Sequence, residues 1–261
     1  MTCEGQGLHS GTLTRLTFRP SSRAGIIFVK GTTPIPAALS SVIDTHRGVT
    51  LGKDGESVKT VEHLLAALRW LGISNLEIEV NGEEIPVFDG SSRSWIETLK
   101  PHLSESEREF PSLAITTPYS IKENGGAIDA SPAPELSVFY SIDFPNTPVG
   151  HQTWDGCITP QAFLQELAPA RTFGFLHEVQ TLWNMGLGKG GNSENCVVIT
   201  KDAFLTPLRF PDEMIRHKVL DLMGDLALLP WIPKARIKVE KGSHRLHTAL
   251  AKALESMTKE R

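Results

Sequence analysis

Cysteine is scarce in this chain, with three in 261 residues, Cys3, Cys157 and Cys196. They are far apart and odd in number, and no Cys-x-x-Cys pair occurs, which excludes a disulfide framework and suits a reducing compartment. No run approaches the ~18 consecutive apolar residues of a transmembrane helix. The first residues, Met1-Thr-Cys-Glu-Gly-Gln-Gly, carry neither a basic segment ahead of an apolar run nor an Arg/Ser-rich amphipathic leader. An excess of positive charge is missing too. Lys+Arg total 26 against 30 Asp+Glu, a net charge of −4, so a nucleic-acid partner is not expected, although a local basic pocket for a small anion stays open. The expectation is a cytoplasmic protein with no membrane-spanning segment.

What is present is the material of a core. Hydrophobic residues make up 40% and charged residues 21%, the profile of a globular chain rather than a disordered or fibrous one. The length fits one large domain or two small ones. Leu13–Phe18, Gly25–Val29 and Asn75–Val80 alternate as strands do, and Asn81-Gly82 followed by Ile85–Phe88 reads as a hairpin. Helical spacing runs from about Ser57 to Leu71 and recurs around Trp95, Ile96 and Leu99, where Ser91 or Ser92 offers a cap.

Leu103–Pro111 is polar and poor in apolar residues, the best linker in the chain. Beyond it come strands at Leu113–Ile121 and Leu136–Phe144, and helices near Gln161–Leu167 and Phe175–Met185. A strand at Cys196–Thr200 and a long helix over Pro211–Leu229 follow, then a strand at Ile237–Glu240 and a last helix from about His247. Both halves mix strands with helix pairs, an α+β pattern. The expected division is an N-terminal domain over 1–104 and a C-terminal domain over 112–261.

The sharpest chemical signal is Arg216-His-Lys-Val-Leu-Asp-Leu-Met-Gly-Asp225. His217 and Asp221 stand one helical turn apart on one face, as two ligands of one ion must, and Asp225 continues the stripe. A solvated surface pair is the plain alternative. The apolar neighbours Val219, Leu220, Leu222, Met223, Leu226 and Leu228 argue for burial, where such groups need partners or a cation. A catalytic zinc site takes three protein ligands and keeps a position open. Glu62-His63 on the first helix is a candidate for the third ligand and an adjacent base. By itself a Glu-His pair is weak.

Thr172 sits among aromatics just before a helix, as a catalytic hydroxyl or as a simple cap. Lys241-Gly-Ser-His244 occupies a turn after a strand, a place where functional residues and plain connections are both common. Gly186-Leu-Gly-Lys-Gly-Gly191 matches a dinucleotide fingerprint in letters only, because it follows a helix and precedes a strand. Neither a Walker A sequence nor a Gly-x-Ser-x-Gly elbow occurs.

Taken in order, several segments resemble one family. They are Gly5-Gln-Gly-Leu-His-Ser-Gly11, Thr60-Val-Glu-His-Leu-Leu-Ala-Ala67, Ile85-Pro-Val-Phe-Asp-Gly-Ser91, Ala170-Arg-Thr-Phe-Gly-Phe175, Leu208-Arg-Phe210 and Arg216–Asp225. The chain from residue 5 to about residue 250 is similar to the UDP-3-O-acyl-N-acetylglucosamine deacetylase family, zinc amidases of lipid A biosynthesis. The resemblance implies two similarly folded α+β domains, each a small sheet with two packed helices, the helices sandwiched between the sheets. It implies zinc-dependent removal of the N-acetyl group of a sugar-nucleotide lipid substrate with release of acetate, the committed step of that pathway.

By matching motifs, His63, His217 and Asp221 would be the metal ligands and Glu62 the general base. Thr172 would stabilise the oxyanion, and His244, oriented by Asp225, would be the general acid or electrostatic partner. Lys218 and His9 would face the diphosphate, joined by Lys241, with Phe173 and Phe144 packing on the nucleotide or sugar. The segment between Glu178 and Val198 would border an apolar passage for the acyl chain.

Two departures stand out. Met1 lies almost on the first glycine turn, where the family places a strand, so that edge strand is expected to be missing or cut short. Gly242-Ser243-His244 stands where the family has Ser-Gly-His. The other functions to weigh are a zinc amidase for a different acylated amino sugar and a non-catalytic sugar-nucleotide-binding paralogue, against which the retained Glu62 speaks. A monomer is expected.

Overall fold

The computed structural model of the chain describes residues 1–103 and 110–259, so most of the expected linker lies outside the described residues. Its architecture is α+β. The N-terminal half runs β1 (Thr2–Gln6), β2 (Leu13–Pro20), β3 (Gly25–Lys30), β4 (Thr33–Pro36), β5 (Val42–Asp44), β6 (Thr50–Lys53), β7 (Glu56–Val58), α1 (Glu62–Trp70), β8 (Asn75–Asn81) and α2 (Arg93–Leu99). The C-terminal half runs β9 (Ser112–Ala114), β10 (Tyr119–Glu123), β11 (Gly126–Pro132), β12 (Ser137–Phe144), β13 (Gly150–Cys157), a single turn α3 (Pro160–Ala162), β14 (Phe173–Phe175), α4 (Val179–Asn184), β15 (Val197–Ile199), α5 (Glu213–Leu226), β16 (Ile232–Glu240) and α6 (His244–Lys259).

The two main sheets have one topology. The first is ordered β1-β2-β8-β3-β4 and the second β10-β11-β16-β12-β13, with β9 added alongside β16. In each, the last strand of the half enters between the second and third and pairs parallel to the third, while all other neighbours on the path are antiparallel. In each, one helix precedes that inserted strand and one follows it. Helices α1 and α5 therefore occupy equivalent places in the two halves. They pack on each other, with α2 beside α1 and α6 beside α5.

The seam between α1 and α5 is close. All nine residues of α1 are buried, Glu62 and His63 included. Gly224 of α5 lies against the backbone of Glu62, and a Cβ there would collide with the Glu62 carbonyl. Arg69, also buried, donates from Nη2 to the carbonyls of Ala227 (2.9 Å) and Leu229 just past the end of α5, and lies 4.1 Å over the Phe110 ring. Burial pulls its pKa down to about 10, so it stays charged while capping the negative end of α5.

Several sequence expectations are corrected. Helix α1 begins at Glu62 rather than about Ser57, because Glu56–Val58 pairs with β6 and Thr60 adopts a left-handed φ of 58°. Residues 85–88 form no strand and no hairpin, since β8 is central and already bonded on both edges. The expected strand over Leu113–Ile121 is two, β9 and β10. The expected helix from Phe175 is a strand, a 3-10 turn and the short α4. Strand β16 begins at Ile232, five residues before the expected start, and α6 begins at His244, three residues early. The first strand, expected to be missing or cut short, is present as the five-residue β1 on the edge of its sheet.

Gly224→Ala should force the two helices apart. Overpacking of this kind costs about 1–3 kcal/mol, so thermal denaturation should show a lowered Tm. The neighbouring substitution Ala227→Gly, which adds no atom at the seam, should leave the Glu62 backbone in place.

Candidate metal centre

The seam brings His63 of α1 against His217 and Asp221 of α5. His63 Nε2 lies 3.4 Å and His217 Nε2 3.3 Å from Asp221 Oδ1. The three donor atoms fall within 4.8 Å of one another, and all three residues are buried. The imidazoles stand edge to face with centroids 4.9 Å apart. A zinc–nitrogen bond of 2.0–2.1 Å gives a tetrahedral edge of roughly 3.3–3.4 Å, so the separations suit ligands of one ion. The donor set, two imidazoles and a carboxylate, suits zinc as well.

The orientation of His217 is fixed from behind. Its Nδ1–H donates to the Ala170 carbonyl at 3.1 Å, which leaves the Nε2 lone pair facing Asp221 and His63. The Ala170-Arg-Thr segment is itself locked to the start of α5. Arg171 donates from its backbone N (3.0 Å) and Nε (2.8 Å) to Glu213 Oε1, in a pair with almost no exposure. Thr172 follows, held by its backbone N to the Gly90 carbonyl at 2.8 Å. A Cβ at Gly90, whose φ is +83°, would collide with the Asn195 carbonyl, which explains why the Asp-Gly turn serves at that junction.

Electrostatics separate the acids from the bases. Burial raises the Glu62 pKa, with His244 and His63 opposing the shift. Burial acts the same way on Asp221, but His217, Lys218, His63 and His244 together outweigh it and hold its carboxyl well below the usual range. Burial pulls His217 down to about 4, a neutral imidazole with a free lone pair. For His244 burial again opposes the charge, yet Asp225, helped by Asp221 and Glu62, lifts it to about 9. Its Nδ1 donates to Asp225 Oδ2 at 2.8 Å, and its Nε2 lies 4.0 Å from Asp221 Oδ2.

A cavity of about 420 Å³ opens over this group and is lined by Glu62, His63, Thr172, His217, Asp221 and His244, among others. Lys218 lines it too, its Nζ 2.7 Å from Asp221 Oδ2 and 5.7 Å over the Phe173 ring. Phe144 and Phe173 meet edge to face at 5.9 Å, and Val179, Leu182 and Val198 extend an apolar wall. His9 reaches the cavity with both ring nitrogens engaged, Nδ1 accepting from Gly188 N (3.3 Å) and Nε2 donating to the Arg47 carbonyl (3.0 Å). Lys241 stands apart at the surface, 3.2 Å from Asp143.

Residue-type patterns did not reveal three further parts. Val49 N donates to Glu62 Oε2 at 2.9 Å and fixes that carboxylate. Arg47 pairs with Glu178 at 3.1 Å across the cavity from one half to the other. Glu84, fully buried, accepts from His9 N, Ser10 N and the Thr60 hydroxyl at 2.7–3.1 Å, and so ties the glycine turn to the loop before α1. Only Glu84 carried a signal, its place beside the Ile85-Pro motif.

The family model described as LpxC: UDP-3-O-acyl N-acetylglycosamine deacetylase matches residues 1–256. The chain is similar to the UDP-3-O-acyl-N-acetylglucosamine deacetylase of Thermosynechococcus vestitus, 43% identical over 257 residues that cover 96% of this chain and 90% of the relative. It is also similar to the proteins of that name from Synechocystis sp., 40% identical with 97% and 95% covered, and from Nitratidesulfovibrio vulgaris, 40% identical with 98% and 85% covered.

The triad predicts one divalent transition-metal ion per purified chain. His217→Ala should fold, with its far-ultraviolet circular dichroism unchanged, and carry almost none. Metal at full stoichiometry in His217→Ala would remove that residue from the donor set.

Proposed function

Because the chain belongs to the UDP-3-O-acyl N-acetylglycosamine deacetylase family, we propose that its catalytic centre is the cleft between α1 and α5, with His63, His217 and Asp221 holding Zn2+. The enzyme is a deacetylase that hydrolyses the N-acetyl group of UDP-3-O-acyl-N-acetylglucosamine and releases acetate, a step of lipid A biosynthesis. The observation that carries the site assignment is the convergence of three buried donors from two equivalent helices, with Glu62 beside them. The N-terminal domain, 1–104, supplies Glu62 and His63, and the C-terminal domain, 112–261, supplies His217, Asp221, Thr172 and His244.

When bound, a zinc ion there supplies Lewis-acid polarisation of the acetamide carbonyl and makes water acidic at neutral pH. Glu62, held by Val49 N and raised in pKa by burial, takes the proton of the attacking water. The Thr172 hydroxyl donates to the developing oxyanion, a preorganised contact worth about 2.7–4 kcal/mol. His244, charged below about pH 9, gives its proton to the leaving amine, with Asp225 balancing that charge. The carbon–nitrogen bond breaks as the amine takes that proton, the acetic acid formed ionises to acetate, and the proton held by Glu62 passes back to His244 before the next turnover.

Substrate placement follows from the lining for every group but Lys241, which lies outside it. Lys218 meets the diphosphate, and Phe144 and Phe173 pack on the nucleotide or sugar. His9 reaches a phosphate oxygen by exchanging the Arg47 carbonyl at Nε2–H for it, and Lys241 adds charge once released from Asp143. The wall of Val179, Leu182 and Val198 takes the acyl chain. A cytoplasmic location fits the nucleotide-linked substrate and the three free cysteines, and a proposed site complete within one chain fits a monomer.

Acetate release from the UDP-linked acyl sugar tests the assignment. Glu62→Gln should keep its metal and lose about 10²–10⁴-fold in kcat. Full activity in that variant would remove Glu62 as the base. On the alkaline side, wild-type kcat should fall as pH rises through about 9, where His244 loses its proton. In His244→Gln, slower at every pH, that fall should disappear.

A further inference from the structure

Behind the Asp225–His244 pair lies a buried polar chain that the mechanism above does not use. Asp225 Oδ2 accepts from two imidazoles, His244 Nδ1 and His247 Nδ1, each at 2.8 Å. On its far side, His247 Nε2 is 3.0 Å from the Tyr140 hydroxyl. Tyr140, Asp225 and His247 are all 0% exposed. Tyr140 comes from β12, Asp225 from α5 and His247 from α6, three residues after His244 on the same face. Three elements of the C-terminal half thus meet at this one chain.

The proton directions follow from the partners. Burial, then Asp221 and Asp225, raise the Tyr140 phenol well above its usual value, so it is neutral and donates to His247 Nε2. His247 then carries its one hydrogen on Nδ1, aimed at Asp225. The other carboxylate oxygen, Asp225 Oδ1, is buried with no hydrogen-bond partner among the described residues. Both bonds that fix the rotation of this carboxylate therefore pass through Oδ2. The turn leading into α6 lies directly over the junction, since a Cβ on Gly242 would collide with the Tyr140 hydroxyl and crowd His247 Nε2.

We propose that His247 and Tyr140 are positioning residues for the deacetylation, acting through Asp225 to hold the His244 imidazole on its aim at the substrate nitrogen. A carboxylate in a dry interior with one donor can swing about its last torsion. A second donor on the same oxygen, itself anchored by the Tyr140 hydroxyl, fixes its plane. The proposal rests on the reading of His244 given above, and its test separates the two.

The test is a double-mutant cycle in the full chain, reading kcat, KM and Tm for acetate release from the UDP-linked acyl sugar. His247→Leu should lower kcat by about 10–100-fold, as loss of an orienting partner does, with KM little changed. In a His244→Gln background the same substitution should change kcat less than ~3-fold, because the group it positions is gone. His247→Asn, whose amide still donates to Asp225, should recover most of the loss. Tyr140→Phe should lower kcat by a smaller factor, again only where His244 is present, and this arm carries the cycle if His247→Leu does not fold.

Equal losses in both backgrounds would overturn the proposal and mark a purely structural role. So would a folded His247→Leu protein with wild-type kcat. If His244→Gln alone keeps full kcat, the assignment of His244 falls first and the proposal falls with it.

Discussion

Three ionisable side chains have been taken out of water in the seam between α1 and α5, and the rest of the structure depends on that. His63, His217 and Asp221 are each no more than 6% exposed. Desolvating such groups is costly unless they are paired or bound to a cation. Lys218 satisfies one oxygen of Asp221, while the other faces two imidazole nitrogens at 3.3 and 3.4 Å. The fold holds that arrangement from several sides. Gly224 admits the Glu62 backbone, Arg69 ties α1 to the end of α5, and the Arg171–Glu213 pair fixes the carbonyl that orients His217.

The repeated topology explains why the centre is where it is. Each half inserts its last strand between its second and third, and each carries a helix immediately before that strand. Packing the two halves through those equivalent helices brings residues far apart in sequence to one seam. The same seam sorts charge. His217 is pulled to about 4 and His244 lifted to about 9 within one cleft, while Asp221 falls and Glu62 rises. Such divergence between neighbouring titratable groups is what the proposed acid and base roles require.

Much of this was legible in the sequence where residue type and periodicity coincide. The His217/Asp221/Asp225 stripe is visible because α5 is long, apolar-flanked and regular. The Glu62-His63 pair is visible as chemistry, but hydrophobic spacing sets the start of its helix too early, since the left-handed Thr60 leaves no mark in such a pattern. The apparent hairpin at Asn81-Gly82 failed because a local turn signal cannot report that β8 is already bonded on both edges by distant strands. The backbone partners Val49 N and Ala170 O could not be found from side-chain identity at all. His247 had a readable signal, three residues beyond His244 on a strongly amphipathic helix, yet its partner Tyr140 lies 107 residues away. The glycine-rich segment Gly186–Gly191, a dinucleotide fingerprint in letters only, serves as close-packed backbone against the Gly7–Gly11 turn.

The most direct measurement is anomalous diffraction at the zinc edge from crystals of the purified, metal-replete protein. A single peak is expected at the α1–α5 seam, bonded to His63 Nε2, His217 Nε2 and an oxygen of Asp221. A peak bonded to other side chains, or a fully replete protein with none at that seam, would contradict the assignment.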